Sequence, residues 1–358
     1  MPFDPTQPLG PEFRQAVGAA ITAFLDRQGE VVGAVGPEVT PLLDQARHFT
    51  GGGKRFRPAF LYWGYAAGAG QPGDAAPVLR AAASLDLLHV SALAHDDVMD
   101  DSDTRRGGPA AHVVNARLHA ENGWRGGSEA FGRAGAILLG DLLLMWSAEM
   151  WASCGLEPEA LARAQATLDA VRTEVTLGQY LDIVAQHADT SLERARRVTE
   201  FKSARYTVTR PVQLGALLSG APAATVAALG AYGSPVGRAF QMRDDLLGVF
   251  GDEAVTGKPA GDDLREGKRT VLIAHALEAV DAEAATRLES LLGDPALDPA
   301  GVDEARAIIR GSGAVDQVEA DIATDHAAAL AVLSAVEIDD EARTALEALA
   351  SLAVSRDA

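Results

Sequence analysis

The residues best suited to chemistry in this chain are aspartates. The segment His95-Asp96-Asp97-Val98-Met99-Asp100-Asp101-Ser102-Asp103-Thr104-Arg105-Arg106-Gly107 places five acids within eight residues. On a helix, positions four apart share a face, so Asp96 projects with Asp100, and Asp97 with Asp101. Like charges at that spacing repel, and a helix C-terminus disfavours them further. Bound cations would offset both costs. An all-oxygen ligand set without His or Cys spacing points to Mg²⁺ or Mn²⁺ rather than zinc. The plain alternative is a solvated acidic helix end. The apolar helix before the segment and the two arginines after it weigh against that.

A second acidic pair, Asp244-Asp245, follows Phe240-Gln241-Met242-Arg243 late in another long helix. Two such helices facing each other would line one cavity with carboxylates from both sides, a setting for metals that hold a phosphorylated ligand. A third segment, Gly51-Gly52-Gly53-Lys54-Arg55-Phe56-Arg57-Pro58, leads glycines into clustered cations at a helix start. Backbone N–H groups and cationic side chains there can hold a phosphate. An exposed basic turn explains this segment equally well. It is not a Walker A loop, whose spacing is absent.

The elements that must position these groups read as helices nearly throughout. Ala, Leu, Glu and Arg dominate, and alternating β-branched runs are scarce. The pattern predicts helices over 11–32, 37–49, 55–68, 74–99, 128–153, 157–186, 190–219, 222–250, 262–292, 300–312, 314–334 and 339–354. Residues 119–132, rich in Gly and polar residues, read as a surface loop. The apolar stretch Ala134–Ala152 carries Asp141 and Glu149 and reads as a buried core helix rather than a membrane span. No separating linker is visible, so residues 1–358 are expected to form one all-α domain.

Composition narrows the function. The chain has 358 residues, with 31 Lys+Arg against 50 Asp+Glu and a net charge of −19. That excess argues against nucleic acid and against an anionic membrane surface as partners. It leaves anionic substrates open, since carboxylates can hold them through a divalent metal. The single cysteine, Cys154, excludes a disulfide framework. The start, Met1-Pro2-Phe3-Asp4-Pro5, lacks the basic and apolar regions of a signal peptide, and a cytoplasmic protein is expected.

Taken in order, GGGKRFRP, LLHVSALAHDDVMDDSDTRRG, LLGDLLL, GQYLD, EFKSARY, FQMRDDLLGVFGD and TGKPAGDDLREGKRT resemble the trans-type isoprenyl diphosphate synthases, or polyprenyl synthetases. The likeness runs from about residue 15 to residue 335. It implies an isoprenoid-synthase-type helical bundle around a central cavity, usually a homodimer. The implied reaction joins isopentenyl diphosphate to an allylic diphosphate. Diphosphate leaves, the allylic cation is attacked by the terminal alkene, and a proton is lost. The cofactor implied is Mg²⁺, three ions, with Mn²⁺ as the alternative. Asp96, Asp100 and Asp244 match the family's metal ligands, with Asp97 and Asp245 as weaker or indirect ones. Lys54, Arg57, His89 and Arg106 match the isopentenyl diphosphate site. Arg105, Lys202, Lys258 and Lys268 match cations around the allylic diphosphate. Ser203 stands where the family commonly has Thr. Gln179 and Gln241 match polar groups near the diphosphate and the reacting carbons. The family's usual proton acceptor is the liberated diphosphate, so no side-chain base is expected.

One departure stands out. The family's second motif is often DDxxD, and Gly248 takes its last position, so Asp244 lacks an i+4 partner; Asp252 could act through water. Chain length is partly readable too. Bulky aromatics four or five residues before the first aspartate stop growth early in this family. Here those positions are Ala92 and Ser91, with Leu88 and Leu85 deeper, so geranylgeranyl diphosphate is the expected product. The alternatives are a farnesyl or longer-chain synthase, a non-catalytic synthase subunit and a class I terpene cyclase. The cyclase would normally show an NDxxSxxxE-type second motif, which residues 240–252 do not.

Overall fold

The computed structural model describes residues 2–105, 107–251, 261–294 and 296–355. Among these, regular structure is helical apart from a two-residue hairpin, Thr104–Arg105 (β1) against Gly108–Pro109 (β2). The first half comprises α1 (Pro11–Val35), α2 (Thr40–Thr50), α3 (Phe56–Ala69), α4 (Ala76–Met99), α5 (Ala111–Glu121), α6 (Ser128–Ala152) and α7 (Pro158–His187). Then come α8 (Leu192–Val198), a π-helical segment (Thr199–Thr209), α9 (Arg210–Ser219) and α10 (Ala223–Phe250). After residue 260 the chain forms α11 (Asp262–Arg265), α12 (Val271–Ala279), α13 (Ala282–Leu291), α14 (Pro299–Gly311), α15 (Ala314–Ala335) and α16 (Asp340–Val354).

Helix α4 lies in the middle because it is apolar around most of its circumference. It packs against α6, α1 and α3, and buries Leu85, Leu87 and Leu88. Each buried leucine contributes about 2 kcal/mol. Like-charge repulsion at i,i+4 costs only about 0.2–0.5 kcal/mol per pair. Core burial thus readily tolerates acids at the helix's end. Helix α10 is the other carrier. Its Val236 and Phe240 join the main core, while Met242, Leu246 and Val249 join a second cluster with Leu272, Leu288 and Ile309. The Asp244-Asp245 pair therefore sits on a helix gripped from both sides.

Several expectations change. The loop expected over 119–132 shrinks to the stretch between Glu121 and Ser128, since an unexpected helix, α5, runs to Glu121 and α6 begins at Ser128 as its own predicted span has it. The buried face of α5 is polar: Asn115 and Gln45 exchange amide hydrogen bonds at 2.8 and 3.0 Å, and His112 and His119 are buried. No apolar period announces such a helix. The helix expected over 262–292 is three. Gly267 takes φ 71°, and the Thr270 and Asp281 side chains cap α12 and α13 by accepting from Ile273 and Ala284 N–H groups. The helix expected over 190–219 contains the π-helical turns.

Helix α6 is also not simply a core helix. Both α4 and α6 are long and apolar enough to cross a membrane, but α4's apolar stretch is 67% buried and α6's only 39%. Ile137, Leu138, Leu144 and Met145 leave an apolar face of α6 exposed, and Leu177 and Tyr180 of α7 are exposed as well.

Candidate active site

Helices α4, α7, α10 and the π-helical segment enclose a cavity of about 1170 Å³ whose wall carries Asp96 on one side and Asp244 and Asp245 on another. Carboxylates from both acidic segments, on α4 and α10, thus line one cavity. Helix α4 ends at Met99, Asp100 caps it with near-helical angles, and Asp101 turns to φ 52°. Asp101 therefore does not continue the face of Asp97. Asp97 is buried and accepts from the Arg105 guanidinium, with Arg105 Nε at 2.8 Å. That pair draws the β-hairpin loop back over the site and aims Arg105 along the cavity wall.

Cations from three segments interleave with the acids. Lys202, on the π-helical segment, donates to Asp182 at 2.5 Å and to Asp96 at 3.3 Å. The Gln179 amide donates to the same Asp96 oxygen at 2.7 Å. Lys268 lies 3.6 Å from Asp100 and 3.6 Å from Asp263, and pairs with Glu266. Close approach of α7 to the π-helical backbone depends on Gly178. A Cβ there would fall 2.4 Å from the Lys202 backbone nitrogen. Ser203 lines the same wall. Gln241 donates to Asp245 at 2.7 Å, one turn along α10.

These surroundings push the carboxyls apart. Burial would raise Asp96, but Lys202, Lys268 and Arg105 bring it down to about 2. Asp100 is pushed up to about 6 by burial and by the charge of Asp96. Asp245 rises to about 8 through burial, with Asp263 and Asp244 adding to it. Burial would ease the proton off Lys268, yet Asp263, Glu266, Asp96 and Asp100 raise its affinity for the proton well above the ordinary lysine value.

A second group of cations lines the same cavity. Gly53, at φ 110°, and Arg55, at φ 60°, bend the chain into α3, leaving Lys54 exposed at the cavity rim. Arg55 is buried and paired with Asp86, and it donates to the Thr50 carbonyl at 2.8 Å, so it anchors the turn. Arg57 donates to Thr207 Oγ1 at 2.8 Å and stacks over the Tyr206 ring at 4.2 Å. The His89 ring lies 6.2 Å from that of Tyr206. Arg106, Lys258 and Asp252 lie outside the described residues.

The sequence reading passed over Asp182, Tyr206, Asp86 and Asp263. Asp182 and Tyr206 carried a weak signal, since Asp182 follows Gln179 by three residues and Tyr206 follows Lys202 by four, each on one helical face. Asp263 carried none beyond membership of a recognisable segment, and Asp86, just before one, carried none at all.

The donor set suits Mg²⁺. The Asp100 side chain is 3% exposed, and its Oδ1 is buried with no hydrogen-bond partner. Among the described residues no three His, Cys or acidic side chains gather closely enough to cage a metal by themselves. Mg²⁺ needs no such cage, because it typically takes one or two carboxylates and completes its shell with water and substrate phosphate.

An all-α bundle whose cation-lined cavity carries carboxylates from two helices has the makings of a site for metal-bound diphosphates, and comparison with known proteins places the chain in a family. The polyprenyl synthetase family model matches residues 40–309. The short chain isoprenyl diphosphate synthase of Methanothermobacter thermautotrophicus is 33% identical over 333 residues, covering 93% of this chain and 95% of its own. The nonaprenyl diphosphate synthase of Mycobacterium tuberculosis is 34% identical over 310 residues, 86% of this chain and 84% of its own. A crystal structure of geranylgeranyl pyrophosphate synthase from Corynebacterium glutamicum, complexed with isoprenyl diphosphate and magnesium, superposes with a TM-score of 0.94 at 43% identity, covering 97% of this chain and 99% of that one. This chain belongs to the polyprenyl synthetase family and is a trans-type prenyltransferase.

Proposed function

We propose that the protein is a Mg²⁺-dependent geranylgeranyl diphosphate synthase that condenses isopentenyl diphosphate with an allylic diphosphate. The observation that carries the product assignment is the wall beside the first aspartate. Ala92, one turn before Asp96, lines the cavity, while Ser91 is buried beside it. No large side chain at these two positions closes the cavity near the reacting carbons. Leu88 and Leu85 belong to the core rather than to the wall. Val175, Thr176 and Ile183 of α7 continue the lining, and they are the candidates for a floor.

In this reading Asp96, Asp100 and Asp244 hold the metal ions, three in number, and Asp97 and Asp245 act on them indirectly. Bound Mg²⁺ supplies positive charge that stabilises the departing diphosphate. Lys202, Arg105, Lys268 and Lys258 bind the allylic diphosphate's oxygens, and Asp182 and Asp97 keep Lys202 and Arg105 aimed at them. Lys54, Arg57, Arg106 and His89 bind isopentenyl diphosphate. The stacking of Arg57 on Tyr206 holds that guanidinium in place. Gln179 and Gln241 orient the reacting end, with Ser203 beside them. Phe56 and Phe240, with rings 5.3 Å apart, exclude water from the developing allylic cation. The preorganised cations are positioned before reaction, so little reorganisation accompanies charge transfer to the diphosphate.

The exposed apolar face of α6 with Leu177 and Tyr180 is read as the seat of a homodimer in the cytoplasm. Light scattering should give the mass of a dimer, and Met145→Glu, placed where the side chain is 67% exposed, should give a monomer.

The function is tested by incubating the protein with Mg²⁺, isopentenyl diphosphate and dimethylallyl, geranyl or farnesyl diphosphate, then identifying the dephosphorylated products by mass spectrometry. A dominant C20 alcohol is expected. A C15 or longer polyprenyl product keeps the reaction and overturns the assignment of the floor. No elongation with any primer overturns the reading of the site.

A further inference from the structure

The second aspartate helix carries a gap at Gly248, one turn beyond Asp244 and on the same face. That gap is filled in space. A Cβ built on Gly248 would lie 1.8 Å from Asp263 Oδ2 and 2.6 Å from its Cγ. The Asp263 carboxylate therefore occupies the volume that a side chain at 248 would enter. It arrives from α11, lines the cavity with Asp244 and Asp245, and is held by Lys268 at 3.6 Å. Bringing a third carboxylate beside two others is unfavourable unless cations attend it. Lys268 is shared with Asp100 and Glu266, so a single ammonium serves three acids.

We propose that Asp263 completes the second aspartate site, supplying across space the carboxylate that Gly248 cannot supply along the helix. It acts on the Mg²⁺–diphosphate assembly beside Asp244, directly or through a metal-bound water. Gly248 is the complement of this arrangement, because any side chain there displaces Asp263. The inference rests on the proposed reading of the cavity as a metal–diphosphate site. It also gives Gly248 a role in an active enzyme, where the motif alone would have suggested a defective subunit.

The test measures metal binding without turnover. Mn²⁺ is titrated into the protein in the presence of inorganic pyrophosphate, and free Mn²⁺ is followed by electron paramagnetic resonance. Wild type, Asp244→Ala, Asp263→Asn, and the exchange variant Asp263→Gly with Gly248→Asp are compared, each with its melting curve in the absence of metal. Asp263→Asn preserves shape and should weaken pyrophosphate-dependent Mn²⁺ binding by about tenfold or more, the usual effect of losing a group that supports a metal site. The exchange variant should recover to within about threefold of wild type, the signature of two positions serving one role. An Asp263→Asn protein that binds like wild type while Asp244→Ala does not overturns the inference and leaves the site standing. So does a folded exchange variant as weak as Asp263→Asn, since Asp263 would then be only the ion-pair partner of Lys268. If wild type fails to bind Mn²⁺ with pyrophosphate, the metal–diphosphate reading itself falls.

Discussion

The two acidic helix ends differ in how they present carboxylates. At the end of α4, one helix supplies both members of the pair, Asp96 and Asp100, at the i,i+4 spacing. Late in α10, one helix supplies Asp244, and the space above Gly248 is taken by Asp263 of another segment. Their cations differ in the same sense. Asp96 is held by Lys202 and Gln179 from two other helical segments, whereas Lys268 and Asp263 come from neighbouring positions of one short stretch. The comparison teaches that a facing pair of acidic sites need not repeat one motif twice. What must be repeated is the placement of oxygen atoms.

The sharpest way to break the comparison is to remove each end's leading residue. Asp96→Ala and Asp244→Ala should each lower kcat by about 10²–10³, the scale for losing a preorganised electrostatic group, with melting temperature little changed. Wild-type rates in both would remove the case for a shared metal cluster. The lost partner groups come next. Asp100→Ala should cost about tenfold to a hundredfold in metal affinity, because it removes one of the two carboxylates that α4 brings to the site. Gly248→Ala should also lose activity, for the opposite reason. Its new methyl pushes aside the Asp263 carboxylate, the movable end of a flexible side chain, so activity should fall while the melting temperature changes little. Gly248→Ala with wild-type rate would show that Asp263 moves freely.

A change on the wall beside the first end should leave the rate nearly intact and alter the product. Ala92→Phe narrows the cavity one turn before Asp96, so mass spectrometry of the dephosphorylated products should show C15 or shorter alcohols. An unchanged product places the floor elsewhere.

The smallest effect concerns Asp245 in the metal-free protein. Its carboxyl is raised to about 8 by burial, with Asp263 and Asp244 adding to it. A group that binds its proton more tightly folded than unfolded stabilises the fold fully below its ordinary value near 4. That stability is lost as pH rises through about 8. Asp245→Asn removes the loss. Its melting temperature should therefore match or trail that of wild type at acid pH and exceed it at pH 9. Parallel pH curves for the two proteins would contradict the assignment.

Much of this was legible in the residues alone, and the division follows physical range. The helical character, the two aspartate pairs and the glycine–cation turn before α3 rest on neighbours within one or two helical turns, where spacing dictates direction. The sequence determined these, and it determined that position 248 bears no side chain. Tertiary structure decided the rest. Helix α5 escaped notice because it buries an amide and two histidines, and the Asn115 amide is satisfied by Gln45, 70 residues away. The exposed apolar side of α6 is invisible to a hydropathy pattern, which records composition and not what lies opposite. That Asp97 serves Arg105 of the hairpin, Asp86 serves Arg55 in the turn before α3, and Asp182 of α7 serves Lys202 follows from how these segments pack, which the residue types do not announce. The filling of the gap at Gly248 is the clearest case. The missing carboxylate is visible in the sequence as an absence, but its replacement comes from a residue brought there by the folding of α11 onto α10.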